Sequence, residues 1–348
     1  MRFFLSIFLI FNLISCSSQR NITIPQKHEN IDLLKDDNLK KIASENAYNK
    51  VLVLLPLSGK NSELGKGILN ACILAIGESE NVNIDFIVID TADRSLDKNQ
   101  LVRKYENNHV KAIVGPVFFT EAKRYGALFP KIPMFTFSNN IKANSKHIFT
   151  CGLSPQDEIN EILAYARRKE MNGLLIMLPK GSYGDEIEQY LKNSMKNFDF
   201  DEDSNVEIMR YNKMNKENTM KYVEDSDKDA VFLLDPLLDI PNLTRHVTVF
   251  TLSSNALQNR EDWLGSVFAF SSIQELFNFS EKYKMVFNHT PSVLDMVGYD
   301  IVRAIIESSN DKHEPFVLEN RVMQGCIGEF TITKDKGLKR NLRLYESE

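Results

Sequence analysis

The feature that most constrains this chain is an alternation of short apolar runs with helical stripes that begins at Val51 and begins again at Ser154. Residues 51–55 are continuously apolar and are closed by Pro56. Beyond a loop, Leu64, Ile68, Ala71, Cys72, Ala75 and Ile76 recur at helical spacing on one face. Residues 84–89 read as a strand, 101–105 as part of a helix, 112–114 as a strand stopped by Gly115-Pro116, 120–129 as a helix and 134–137 as a strand. Ser154-Pro155-Gln156-Asp157 then opens a helix, with a hydroxyl to cap it, a proline for its first turn and an acid three residues after the cap. Strands at 174–178, 206–211, 230–234, 248–252 and 267–270 follow, with helices at 184–196 and 217–225 between them. Two long helical stretches come next, at 274–287 and 292–308, the second opening on the capping-box pattern Ser292-Val293-Leu294-Asp295. The end of the chain changes character: 325–333 looks extended, Lys336-Gly337 a turn and 342–345 a last strand. Strands alternating with helices require right-handed crossovers and a parallel sheet covered on both faces. Two such series of similar size predict an α/β protein of two doubly wound parallel-sheet lobes joined by a hinge.

The first fifty residues are of another kind. Arg2, an apolar stretch over 3–14 and small residues before Cys16 describe a secretory signal. The stretch is roughly a dozen residues, and a membrane span needs about 20. Residues 17–50 are mostly polar and read as a tether, with a weak apolar stripe of Leu34, Leu39 and Ile42. Without the signal, 41 Lys and Arg stand against 47 Asp and Glu among the 348 residues, so no basic surface for nucleic acid is expected. Beyond Cys16 only Cys72, Cys151 and Cys326 remain, which excludes a disulfide-built scaffold. Cys72, on an apolar helical face, reads as a buried thiol.

Catalytic signatures are missing. Gly65-Lys66-Gly67-Ile68-Leu69-Asn70 lies past the strand and lacks the last glycine of a dinucleotide loop. The six histidines (28, 109, 147, 246, 289 and 313) have no metal-ligand spacing with one another or with cysteine. Ser154 lacks the closing glycine of a nucleophile elbow and is explained as a helix cap. Ser95-Leu96-Asp97-Lys98 matches an acylation motif, but no Lys-Thr-Gly accompanies it and Ser95 follows a strand. The expectation is a binding protein without catalytic residues, metal or cofactor.

Ligands of open parallel sheets sit beyond the carboxyl ends of the strands. Here those ends carry Ser58, the Phe118-Phe119-Thr120 stretch, Ser138 with Asn140, Tyr183 and Asp235, which make the candidate cleft. Ser58 can donate to a ligand or brace its own loop. Ser138 and Asn140 suit either a ligand or ordinary turn chemistry. Phe118 and Phe119 fit cleft-wall packing, Tyr183 stacking or burial, and Asp235 a loop position or an ammonium contact.

The order of certain segments resembles a known family. Leu55-Pro56-Leu57-Ser58-Gly59, Val114-Gly115-Pro116, Gly152-Leu153-Ser154-Pro155-Gln156-Asp157-Glu158, Leu178-Pro179 with Tyr183-Gly184, and Gly325-Cys326-Ile327-Gly328-Glu329-Phe330 fall in the order of type I periplasmic-binding proteins, over about residues 50–348. Leu13-Ile14-Ser15-Cys16 resembles the bacterial lipobox, whose cysteine is lipidated and becomes the first mature residue. Together with the Gly-Leu-Ser-Pro-x-Asp-Glu stretch and the Val-Gly-Pro loop, it makes the chain similar to penicillin-binding-protein activator lipoproteins. That resemblance implies a signal at 1–15, lipidated Cys16 and a tether at 16–49, one lobe at 50–149 plus 272–320, and a second at 150–271 plus 321–348. It implies an anchor on the periplasmic face of the outer membrane, to which Ser17 after the cysteine also points. The implied partner is a peptidoglycan synthase, a penicillin-binding protein that the lipoprotein regulates without being an enzyme. The related branched-chain amino-acid binding family implies instead an ABC permease and a small polar solute.

Two departures stand out. The best-known activators carry a large helical-repeat domain where this chain has a tether of roughly 35 residues. Amino-acid binders usually offer a serine after the third strand and small hydroxyl residues after the fourth, where this chain has Phe118-Phe119-Thr120 and Ser138-Asn139-Asn140. The resemblance also places Cys151 and Cys326 near the crossings between lobes. A disulfide there would need Cα atoms within about 7 Å, and both the bridged and free states stay open.

Overall fold

The computed structural model describes residues 49–346 apart from 81, 106–108, 172, 199, 201–205, 213–215, 235–246, 259–265, 314 and 336. Cys16, the tether and Asp235 lie outside the described residues.

The first series runs β1 (Asn49–Leu55), α1 (Ser62–Glu78), β2 (Ile84–Asp90), α2 (Lys98–Tyr105), β3 (Val110–Val114), α3 (Phe119–Leu128), β4 (Met134–Thr136) and β5 (Ile148–Thr150). Its five strands are all parallel, in the order β2-β1-β3-β4-β5. The apolar run of β1 is buried on both sides. Val51, Val53 and Leu55 join one core with α1, and Leu52 and Leu54 join another with Leu101 of α2 and Tyr125 of α3.

The second series runs α4 (Pro155–Arg168), β6 (Leu174–Pro179), α5 (Ser182–Asn197), β7 (Val206–Tyr211), α6 (Lys216–Asp225), β8 (Ala230–Leu233), β9 (Thr248–Thr251), α7 (Ser253–Gln258) and β10 (Val267–Phe270). β7-β6-β8-β9-β10 repeat the strand order of the first sheet. Leu174, Ile176 and Leu178 of β6 face α4 and α5, while Leu175 and Met177 face Val223 of α6. The fold is therefore α/β, with two separate doubly wound sheets.

The chain then returns to the first sheet. α8 (Ile273–Phe287) and α9 (Val293–Ser309) pack into the core that holds α1, with α9 lying extensively against α1. The capping box expected at Ser292 forms. Ser292 N donates to Asp295 Oδ2 at 2.7 Å, and Asp295 N donates to Ser292 Oγ at 3.3 Å. Ser154 caps α4 as its sequence predicts, accepting from Asp157 N at 3.4 Å.

Residues 325–333 are not one extended run. They fold into an antiparallel hairpin of β11 (Val322–Gly325) and β12 (Gly328–Thr333), and β13 (Gly337–Arg340) adds a third strand. β14 (Arg343–Glu346) pairs antiparallel with β10 and closes the edge of the second sheet. Sequence reading also missed β5 and a single 3₁₀ turn at Ile141–Ala143, because three residues carry no periodic signal.

Candidate functional site

In a sheet ordered 2-1-3-4-5 the crevice lies where successive connections leave to opposite faces, between the first and third strands. That point falls between β1 and β3 in the first sheet and between β6 and β8 in the second. The carboxyl ends of these strands carry Ser58, Phe118–Thr120 and Tyr183, while Asp235, after β8, is not described. Topology thus places Ser58 and residues 118–120 at the crevice of the first sheet and Tyr183 at that of the second, while Ser138 and Asn140 follow the neighbouring strand β4.

On the first sheet, Ser58 is exposed and its side chain does not cap the 3₁₀ turn at Gly59–Asn61. Its loop is braced instead by Asp90 at the end of β2, whose Oδ1 accepts from Leu57 N at 2.8 Å and Ala92 N at 2.9 Å. Phe118 occupies the position before α3, leaves about a third of its surface (36 %) exposed and has no side-chain acceptor with which to cap. Phe119 is half-buried, with Lys123 Nζ 5.2 Å from its ring centre, and Thr120 is exposed. In the first turn of α3, half-buried Glu121 accepts from Thr91 Oγ1 at 3.5 Å. Burial pushes its carboxyl above the ordinary range, against the pull of Arg124. Asp90 and Glu121 were not singled out in the sequence. Their only signals there are an acid at a strand end and an acid in a first helical turn.

After β4, Ser138 is buried and its Oγ accepts from Asn140 N at 3.2 Å. Asn140 Oδ1 in turn accepts from Lys142 N at 3.0 Å and caps the following turn. Both side-chain oxygens accept from amides of their own turn. The loop is tied to its neighbours: Thr136 Oγ1 donates to Pro116 O at 2.6 Å, and Gly152 N donates to Ser138 O at 3.2 Å. On the second sheet, Tyr183 stands at the start of α5 with a similar share of its surface (37 %) exposed.

The chain passes between the two series three times, at 151–154, at 271–272 and at 341–342. A small solvent-open pocket of about 20 Å³ lies beside these passages, lined by Gly152, Leu153, Phe270, Arg340 and Leu342 among others. It is also lined by Glu158 of α4. Glu158 is buried, and its carboxylate accepts from Ser253 N at 2.6 Å and Ser253 Oγ at 3.0 Å. Burial pushes its carboxyl up to about 7, and the two serine bonds only partly oppose this. Cys72, Cys151 and Cys326 are all free thiols, each raised above its ordinary range chiefly by burial. Among the described residues no group of three or more His, Cys, Asp or Glu side chains is placed to hold a metal ion, and no helix is long and apolar enough to cross a membrane.

Two sheets of this order with a crevice at each switch point are the architecture of bilobal binding proteins. The family model described as "Periplasmic binding protein" matches residues 49–255, more than half of the chain, and the chain belongs to that family. Among solved structures, the C-domain of LpoA (YraM) from Haemophilus influenzae, a regulator of PBP1A, is similar with a TM-score of 0.65 at 16% identity, over 86% of this chain and 98% of that one. A putative branched-chain amino acid ABC transporter protein from Rhodospirillum rubrum gives a TM-score of 0.68 at 14% identity, over 86% and 97%. Full-length LpoA from H. influenzae gives 0.66 at 16%, over 90% of this chain and 60% of that one. No curated protein matches the sequence. At these identities the likenesses establish the fold, and they include both kinds of protein that the sequence resembles.

Proposed function

We propose that this chain is a non-enzymatic envelope lipoprotein that regulates peptidoglycan synthesis by binding a penicillin-binding protein. In this reading Cys16 carries the lipid anchor on the periplasmic face of the outer membrane. The lobes are 50–149 plus 272–320 and 150–271 plus 321–348. The observation that carries the reading is the make-up of the crevice loops. A solute receptor converges several free donors on its ligand. Here the loop after β3 offers the exposed ring of Phe118, which carries no donor, and the side-chain oxygens of Ser138 and Asn140 are engaged by amides of their own turn. Exposed aromatic side chains at a rim suit a protein partner, since such residues anchor interfaces. The likeness to the LpoA C-domain supports the same reading.

The test pairs a pull-down from detergent-solubilised envelopes with a thermal-shift screen of amino acids and other small polar solutes. Recovery of a penicillin-binding protein, identified by labelling with a fluorescent β-lactam, with no stabilising solute is the expected result. Stabilisation by one solute, saturating at micromolar concentration, without a recovered synthase overturns the proposal in favour of an importer's binding protein.

A further inference from the structure

The Gly-x-x-Gly-x-Phe segment at 325–330 folds around a buried ion pair. Arg340 Nη2 lies 2.6 Å from Asp300 Oδ2, and the two side chains are 2% and 0% exposed. Arg340 also stacks over the Phe330 ring, 5.0 Å from its centre, and its Nε is buried without a hydrogen-bond partner. Three successive residues of the turn are each held by a different element. Cys326 N donates to Asp300 Oδ1 of α9 at 2.5 Å. Ile327 O accepts from Ser271 Oγ, on the passage from β10 to α8. Gly328 O accepts from Arg340 Nη1 at 3.0 Å, where the chain leaves β13 for the second sheet. Tyr345 OH of β14 adds a bond to Ser271 O at 3.3 Å. The sequence fits this arrangement closely. A Cβ on Gly325 would stand 2.4 Å from Asp300 Oδ2, and Gly328 adopts a φ of +108°.

A buried ion pair contributes little net stability compared with apolar residues of the same volume, so stability alone does not account for it. Its position suggests another role. The turn joins α9, which packs on the first sheet's core, to the second and third passages into and out of the second sheet. We propose that Asp300, Arg340 and the turn at 326–328 form a latch that holds these two passages in one mutual placement, so that the protein's own buried network fixes it whether or not the crevice is occupied. The inference is independent of whether the chain serves a synthase or a permease.

Hydrogen–deuterium exchange by mass spectrometry on the full chain in detergent tests it, comparing the wild type with Asp300→Asn and with Asp300→Asn/Arg340→Gln. The double variant replaces the ion pair by two neutral amides and leaves no buried charge orphaned, so it decides the question if the single variant does not fold. The expected result is exchange at least tenfold faster at 271–272, 326–328 and 341–343, with α1, α4 and α5 unchanged. Exchange in those segments that is unchanged, or that rises equally throughout the protein, overturns the latch.

Discussion

Glu158 shows how a single carboxyl couples this fold to pH. Its side chain is almost wholly buried and caps the start of α7 through two bonds from Ser253. Burial raises its carboxyl from the ordinary 4.5 to about 7, so between these values the folded protein holds a proton that the unfolded chain has lost. Stability from this group is complete below about pH 4.5 and is lost as pH rises through about 7, by an amount on the order of 3 kcal/mol. Asp295 acts in the same direction over a lower range, since burial raises it to about 6. A Glu158→Gln protein keeps an acceptor for Ser253 N and cannot ionise. Its melting temperature is expected to fall less than that of the wild type between pH 5 and pH 8, and to exceed it at pH 8. Parallel melting curves across that range, followed by circular dichroism, would show that Glu158 ionises no more reluctantly in the folded state than in the unfolded chain.

At the scale of elements, what was legible in the sequence is what depends on neighbours in the chain. The Ser154 and Ser292 caps were readable because cap and bonded amide stand three residues apart. The β1 run was readable because a strand buried on both faces is continuously apolar. The three-residue β5 was not, and the hairpin at 322–333 read as a single extended piece because its turn is held by contacts that sequence spacing hides. Asp300 lies 26 residues from Cys326 and 40 from Arg340. The crevice loops were found as strand ends, but the bracing by Asp90 and Glu121 was not, since it joins separate connections of the sheet. The Ser292 cap gives an element-level prediction. Ser292→Ala removes the acceptor for Asp295 N and is expected to cost about 1 kcal/mol, while Ser292→Thr keeps most of it. In thermal unfolding that corresponds to a drop of about 2–4 °C for alanine alone. An equal drop for both variants would mean that the loss comes from packing and not from the cap.

At the scale of the whole molecule, each switch-point crevice carries an exposed aromatic side chain at its edge, Phe118 on the first sheet and Tyr183 on the second. Each has about a third of its surface exposed, so its truncation removes little of the core. A partner that covers these rings would remove their remaining apolar surface from water and gain most from the largest, least flexible side chains. A small solute enclosed between the lobes would depend instead on convergent donors behind the rim. The two modes therefore answer differently to Phe118→Ala/Tyr183→Ala. For a protein that binds a synthase across this rim, the double variant is expected to keep its melting temperature within about 4 °C of the wild type, since two substitutions at partly exposed positions remove little stability. Its recovery of the penicillin-binding protein from solubilised envelopes should fall at least tenfold, which corresponds to about 1.4 kcal/mol or more of lost binding energy. Quantitative capture on immobilised wild-type and variant protein measures this directly. Recovery that survives the double substitution would place the contact surface away from the crevice rim.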